Sequence, residues 1–175
     1  LLEQILSPAN LNAAYKRVRQ NKGAEGVDEM EVDSLKDYLI EQKDKLIATI
    51  LDGKYRPNPV RRVEIPKENG KKRALGIPTV VDRVIQQAIT QVLSPIYEKQ
   101  FSSHSYGFRP KRSAHQALRQ CQRYITEGYS YAVDMDLEKF FDTVNQSKLV
   151  EVLSRTIRDG RVISLIHRYL QAGVV

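Results

Sequence analysis

Residues 131–142, Tyr-Ala-Val-Asp-Met-Asp-Leu-Glu-Lys-Phe-Phe-Asp, hold the residue types and spacing best suited to chemistry in this 175-residue chain. Read as a strand, whose side chains alternate between faces, the segment puts Tyr131, Val133, Met135 and Leu137 on one side. Ala132, Asp134 and Asp136 fall on the other. Two carboxylates then stand roughly 7 Å apart at the rise of a strand. Acidic residues are depleted from strands, so the pair needs a reason. Hard divalent cations such as Mg²⁺ take carboxylate oxygens, and a strand holds a ligand more rigidly than a loop does. Two aromatics, Phe140 and Phe141, follow closely. An isolated Asp-x-Asp also reads as a solvated strand face closed by a turn, so the pair alone leaves both readings open.

Positive charge is the second chemical feature. The net charge of +7 is unevenly distributed. Lys54–Arg73 carries eight basic residues against Glu64 and Glu68, and Arg109–Thr126 carries five with no acid. Glu25–Asp52 instead has nine acids against three lysines. Basic residues concentrated in this way face a polyanion or form a solvated basic surface. Lys67 and Arg73 flank one turn, where Arg can fork onto phosphate oxygens and Lys acts as a point charge. A hairpin of this kind can equally touch RNA backbone only, a role that suits Arg61 and Arg62. Tyr106–Pro110 places an aromatic, a glycine and an arginine in a basic stretch. It reads either as a nucleic-acid contact with stacking or as a packed loop anchored by Phe108.

Several local elements must position these residues. Asn10–Asn21 has helical apolar spacing, as does Val32–Leu51. Val60–Ile65 and Lys72–Ile77 read as paired strands across Glu68-Asn-Gly-Lys71, and Asn69-Gly70 is a strong hairpin signal. Thr79-x-x-Asp82 resembles a capping box opening a helix with the apolar stripe Val81, Val84, Ile85, Ala88, Ile89, Val92 and Leu93. Ser94-Pro95 ends or restarts that helix. Ser113-x-x-Gln116 caps a further helix, on which Cys121 reads as a small core residue. Two helices, about 146–157 and 161–172, close the chain.

Other function classes find little support. The single cysteine excludes an internal disulfide and a cysteine-based zinc site. His104, His115 and His167 are dispersed without metal spacing, and no P-loop or dinucleotide fingerprint occurs. No apolar run approaches the ~20 residues that span a bilayer, and no signal peptide is evident. The first residue is not Met, so the natural start is expected upstream, and a reducing cytoplasm fits the cysteine usage.

Read together, the motifs resemble a known family. Asn21-Lys-Gly-Ala-Glu-Gly-Val-Asp28, Arg61-Arg-Val-Glu-Ile-Pro-Lys67, Lys72-Arg-Ala-Leu-Gly-Ile-Pro78, Asp82-Arg-Val-Ile-Gln-Gln87, Ser105-Tyr-Gly-Phe-Arg-Pro110 and the 131–142 segment occur in order. They resemble the bacterial group II intron-encoded reverse transcriptase/maturase over nearly the whole chain. The fold this implies is α+β. It is the fingers and partial palm of a right-hand polymerase, helix-rich, with a fingers hairpin and a palm strand carrying the catalytic Asp. Residues 1–100 would be N-terminal extension and fingers, and 101–175 partial palm with an interleaved fingers helix.

The resemblance also implies roles. Asp136, five residues before Phe141, matches the catalytic Asp that holds metal, with Leu137 beside it in the metal and nucleotide sites. Phe141 matches the steric gate that crowds a ribose 2′-OH, and Phe140 is expected in the core. Lys67 and Arg73 are expected on the nucleotide triphosphate. Arg61, Arg62, Arg109, Lys111 and Arg112 are expected on RNA or template. Implied partners are intron RNA, an RNA template with DNA primer, and dNTP, with no membrane. Two Mg²⁺ about 4 Å apart serve such chemistry. In the family most of their ligands come from a later Ala-Asp-Asp hairpin, and this chain has no Asp-Asp dipeptide. It is therefore expected to be inactive alone and to associate with itself or with the remaining palm and thumb. The alternative is a non-catalytic splicing cofactor that binds intron RNA. Glu29, Lys111 and Gln146-Ser147 depart from the common family pattern.

Overall fold

The apolar stripe that begins near Thr79 is where the core forms. In the computed structural model, which describes residues 1–66, 70, 72–137 and 139–175, the stripe lies on a helix running Val80–Glu98 (called α4 in chain order). Val80, Val81, Val84, Ile85, Ala88, Ile89 and Val92 are buried. Each large apolar side chain in such a face contributes ~1.5–3 kcal/mol when fully buried. Pro95 does not end this helix. Proline removes one backbone donor, and the turn before it is held by buried Val92 and Leu93.

The chain divides into two compact units, Leu1–Val92 with Asn145–Val175, and Leu93–Val144. The first holds α1 (Leu2–Ile5), α2 (Pro8–Asn21), a short 3₁₀ turn (Val32–Ser34) and α3 (Leu35–Leu51). It also holds the hairpin β1 (Arg61–Pro66) and β2 (Lys72–Ile77), with α7 (Gln146–Thr156) and α8 (Gly160–Gln171). Helix α2 starts earlier than its apolar spacing indicates, because Ser7 accepts from the Asn10 N–H and Pro8 fits the first turn. The Asn10 amide then ties α2 to α4, donating to the Ile5 and Ala88 carbonyls at 2.8 and 3.0 Å. Asn145 and Asp159 cap α7 and α8.

The hairpin is antiparallel, in register from Arg61 opposite Ile77 to Pro66 opposite Lys72. The turn residues Lys67, Glu68, Asn69 and Lys71 lie outside the described residues. Gly76 has a packing reason: a Cβ there would come within 2.9 Å of Val60 Cγ2. Val60 in turn bridges Val174 in parallel, and the Arg62 N–H donates to the Val175 carbonyl at 2.6 Å.

The second unit contains α5 (Ala114–Thr126) and α6 (Phe140–Thr143). The capping box at Ser113 and Gln116 is present. Two expectations fail here, and one of two open readings is removed. Residues 131–137 form no strand, and Tyr131, Val133, Met135 and Leu137 are all exposed. Alternation alone does not make a strand, which needs a neighbour for its ladder and a cover for its apolar face. Among the described residues the one sheet is β1–β2. Cys121 is exposed rather than core, because no residue of α5 is buried. Phe108 anchors nothing and is fully exposed at a positive φ of 55°. Among the described residues, no helix is long and apolar enough to cross a membrane.

Candidate nucleotide and nucleic-acid site

Asp136 and Phe141 stand five residues apart, with Glu138 between them outside the described residues. The Leu137 N–H donates to Asp136 Oδ1 at 2.9 Å, so the carboxylate folds onto its own backbone. Lys139 is left-handed, with φ 49°, and its carbonyl accepts from the N–H groups of Asp142 and Thr143 at 2.9 and 3.0 Å. This turn starts α6 and presents Phe141 at 86% exposure. Phe140 is not the core residue expected of it. It is 48% exposed and meets Phe141 edge-on, with centroids 5.4 Å apart. Four residues of helix cannot bury two adjacent rings, because consecutive positions point about 100° apart. Asp134, Asp136 and Leu137 are exposed with them.

The oxygen chemistry of Asp136 fits one ligand of a Mg²⁺ ion, which takes one or two carboxylates and fills its octahedron with water and phosphate. It does not make a complete shell. Among the described residues no three His, Cys, Asp or Glu side chains gather as a metal site.

The hairpin collects a second set. Residues directly opposite on antiparallel strands share a face, so Arg73, opposite Ile65, lies on the face of Arg61 and Val63. Arg62 and Lys72 lie on the other. Arg73 is exposed. Arg61 pairs with Glu25 at 3.1 Å and is half-buried, with its Nε lacking a hydrogen-bond partner among the described residues. Arg62 is more open and contacts Glu64 at 3.6 Å, which also pairs with Lys72 at 2.9 Å. Lys67 lies outside the described residues.

The 102–112 loop exchanges the roles expected of its residues. Arg109 organises it. Its guanidinium donates to Glu98 Oε1 at 2.7 Å and to the Ser105 carbonyl at 2.8 Å, reaches the Ser102 carbonyl, and stacks 5.3 Å over Phe101. Its side chain is 7% exposed, and the hydrogen bond holds the Glu98 carboxyl below its ordinary pKa. Arg112 lies over the Tyr106 ring at 5.5 Å, and Lys111 is exposed at φ 59°. Phe108 and Lys111 are thus exposed, and Arg112 half-buried on Tyr106, on a loop that Arg109 holds from within.

One residue escaped the sequence reading. Asp82 looks like a helix cap from its spacing, yet it is buried at 1% exposure. Tyr55 and Tyr169 donate to its Oδ1 at 2.6 and 3.1 Å. Thr79 Oγ1 and the Asn58 N–H donate to its Oδ2 at 2.7 and 3.1 Å. Burial, then the nearby Asp82 charge, pushes the Tyr55 hydroxyl pKa well above its ordinary value. Tyr169 is raised likewise, by burial first, then by Tyr55 and Asp82. The available signal was an acid set inside an apolar stripe, between Val81 and Val84.

Known proteins match this arrangement of motifs. The sequence profile described as "Reverse transcriptase (RNA-dependent DNA polymerase)" covers residues 65–174. Protein YkfC of Escherichia coli (strain K12) is 38% identical over 99% of this chain and 47% of its own length. The group II intron-encoded protein LtrA of Lactococcus lactis subsp. cremoris is 38% identical over 99% of this chain and 29% of its own length. The chain therefore spans about half, or less, of the relatives it matches. In a solved structure, a partial Cas6-RT-Cas1–Cas2 complex, one chain superimposes with a TM-score of 0.60 at 21% identity, over 97% of this chain and 27% of that one. That likeness is one of fold, and it agrees with a helix-rich polymerase unit bearing a small antiparallel sheet. The chain belongs to the reverse transcriptase (RNA-dependent DNA polymerase) family, and within it resembles the group II intron-encoded proteins and intron maturases.

Proposed function

We propose that this chain is the fingers and part of the palm of a group II intron-type reverse transcriptase, which extends a DNA primer on an RNA template and binds intron RNA to assist splicing. Residues 1–100 serve as N-terminal extension and fingers, and 101–175 as partial palm. The observation that carries the reading is the 136–141 segment. It presents Asp136, Leu137 and Phe141 to solvent, with Glu138 between them outside the described residues, within the region matched to the reverse transcriptase family. In a polymerase the nucleophile is a primer 3′-OH, so the protein contributes positioning and charge neutralisation. Asp136 is one oxygen ligand for Mg²⁺, whose bound form would supply charge neutralisation at the phosphates. Phe141 crowds the sugar, and Arg73 with Lys67 binds the triphosphate. Arg62, Lys111 and Arg112 meet RNA backbone. Arg61 and Arg109 act behind them, the first through Glu25 and the second by holding its loop.

Primer extension on an RNA template tests this, in a chain extended to the full length of its relatives. Asp136→Asn abolishes extension. Retained extension would remove Asp136 from the catalytic role, whereas a parent chain that binds intron RNA but extends no primer would leave an RNA-binding splicing cofactor.

A further inference from the structure

We infer that Asp82 is the positioning residue of the β1–β2 hairpin: one buried carboxylate holds both legs of the hairpin against the core and so sets where Arg73 points. Within the first unit, the two legs join the core at Asn58, ahead of β1, and at Thr79, just after β2. Both donate to the same oxygen, Asp82 Oδ2, at 3.1 and 2.7 Å. The other oxygen faces inward and is held by Tyr55 on the segment after α3 and Tyr169 on α8. The Asp82 N–H returns to Thr79 Oγ1 at 3.2 Å, so the exit leg is fixed from two directions. A carboxylate accepts through both oxygens without needing a donor partner. It can therefore join two legs to two core tyrosines, where an amide would misplace a donor.

The surrounding packing removes other freedom from the base. Gly26 presses on the exit leg so closely that a Cβ would stand 2.6 Å from Thr79 Cα. The hairpin itself is a two-stranded ribbon, a structure only marginally stable alone. Besides the Asp82 anchor, the start of β1 is held by the Val60–Val174 bridge and the Arg62 N–H on the Val175 carbonyl, while β2 depends on the Thr79 end. Arg73 sits near the far end of β2, opposite Ile65, so a small rotation at the base is amplified there. Low barriers at the anchor would leave Arg73 present but unplaced, which affects nucleotide binding before chemistry. This consequence rests on the nucleotide role proposed above for the hairpin. The anchor itself does not.

Amide hydrogen exchange on this chain separates the two. Thr79→Val keeps the shape of the side chain and removes the hydroxyl on the hairpin leg. Tyr169→Phe removes a hydroxyl from the same carboxylate on the core side. Thr79→Val should speed exchange of the hairpin amides between Val60 and Ile77 by roughly five- to tenfold relative to those of α2, the factor one lost hydrogen bond carries. Tyr169→Phe should lower the melting temperature without changing that ratio. Thr79→Ser, which keeps the hydroxyl, should restore protection. Should Thr79→Val fail to fold, Asp82→Asn takes its place in the same comparison. A ratio that moves equally in the Val and Phe variants, or in neither, overturns the anchor. In the chain extended to the length of its relatives, Thr79→Val should raise the KM for dNTP severalfold, with kcat and RNA affinity kept. Hairpin opening with an unchanged KM would uphold the anchor and overturn the nucleotide role of Arg73.

Discussion

Asp136 and Asp134 are both exposed and two residues apart, yet only Asp136 stands five residues before Phe141. Asp136→Asn should therefore reduce primer extension by on the order of a hundredfold or more, as loss of a charge-stabilising group at a reacting centre does, while Asp134→Asn reduces it less. Equal losses would remove the assignment. Phe141 projects from α6 with Phe140 against its edge, which gives the ring a support rather than a pocket. Phe141→Ala should admit ribonucleotides, measured as the ratio of kcat/KM for dNTP and rNTP. An unchanged ratio would take the gate away from this residue. The two readings of Asp-x-Asp that composition leaves open are not separated by burial here, because both side chains face solvent.

Elements carry the next level. The 102–112 loop depends on one arginine whose hydrogen bonds reach Glu98, Ser102 and Ser105. Arg109→Ala removes the donor shared by Glu98 and the Ser105 carbonyl, while the Ser102 carbonyl keeps the Ser105 N–H, so the loop loses its tie to Glu98. The expected outcome is faster proteolytic cleavage within 102–112 while the first unit stays resistant. Uniform resistance would show that other contacts hold the loop. On the hairpin, Arg61 is engaged with Glu25 while Arg62 is open. Arg62→Glu should weaken binding to structured RNA and lower the slope of log K against log salt by about one to two units, since it removes one phosphate contact and adds a repulsion. An unchanged slope would place Arg62 away from RNA.

At the scale of the whole molecule, charge and exposed apolar surface make the remaining predictions. The first unit carries its own core, but in the second Leu93 is the only buried hydrophobic residue among those described. Leu118, Ile125, Val133, Met135 and Phe141 stay exposed. Surface of this kind seeks a cover, so the 175-residue chain should self-associate as concentration rises, read by sedimentation. A strictly monomeric profile would count against this. It should not extend a primed RNA on its own, and extension that disappears with Asp136→Asn would refute that. Stability should also fall at alkaline pH. The Tyr55 and Tyr169 hydroxyls have pKa values raised by burial. Their contribution is full below the unfolded value near 10 and is lost as pH rises above it. Urea midpoints between about pH 8 and about pH 11 should drop in the parent chain and drop less in Tyr169→Phe. Parallel curves would place the effect elsewhere.

What could be read from the chain alone was whatever short-range chemistry decides. Apolar spacing located the helices, Asn69-Gly70 and the flanking residues located the hairpin, and Ser113-x-x-Gln116 located a cap, because each depends on neighbours within a few positions. The order of motifs was sufficient to recognise the family. Partnership was not legible. The alternating 131–137 segment has the pattern of a strand and lacks a ladder, and Cys121 has the position of a core residue and lacks a cover. Arg109 and Phe108 are adjacent and of the types that bind nucleic acid, but folding turned the arginine inward and the ring outward. Asp82 shows the same limit from the other side. Its spacing from Thr79 announces a cap, while Tyr55, Asn58 and Tyr169 lie 24 to 87 positions away and meet it only through tertiary packing.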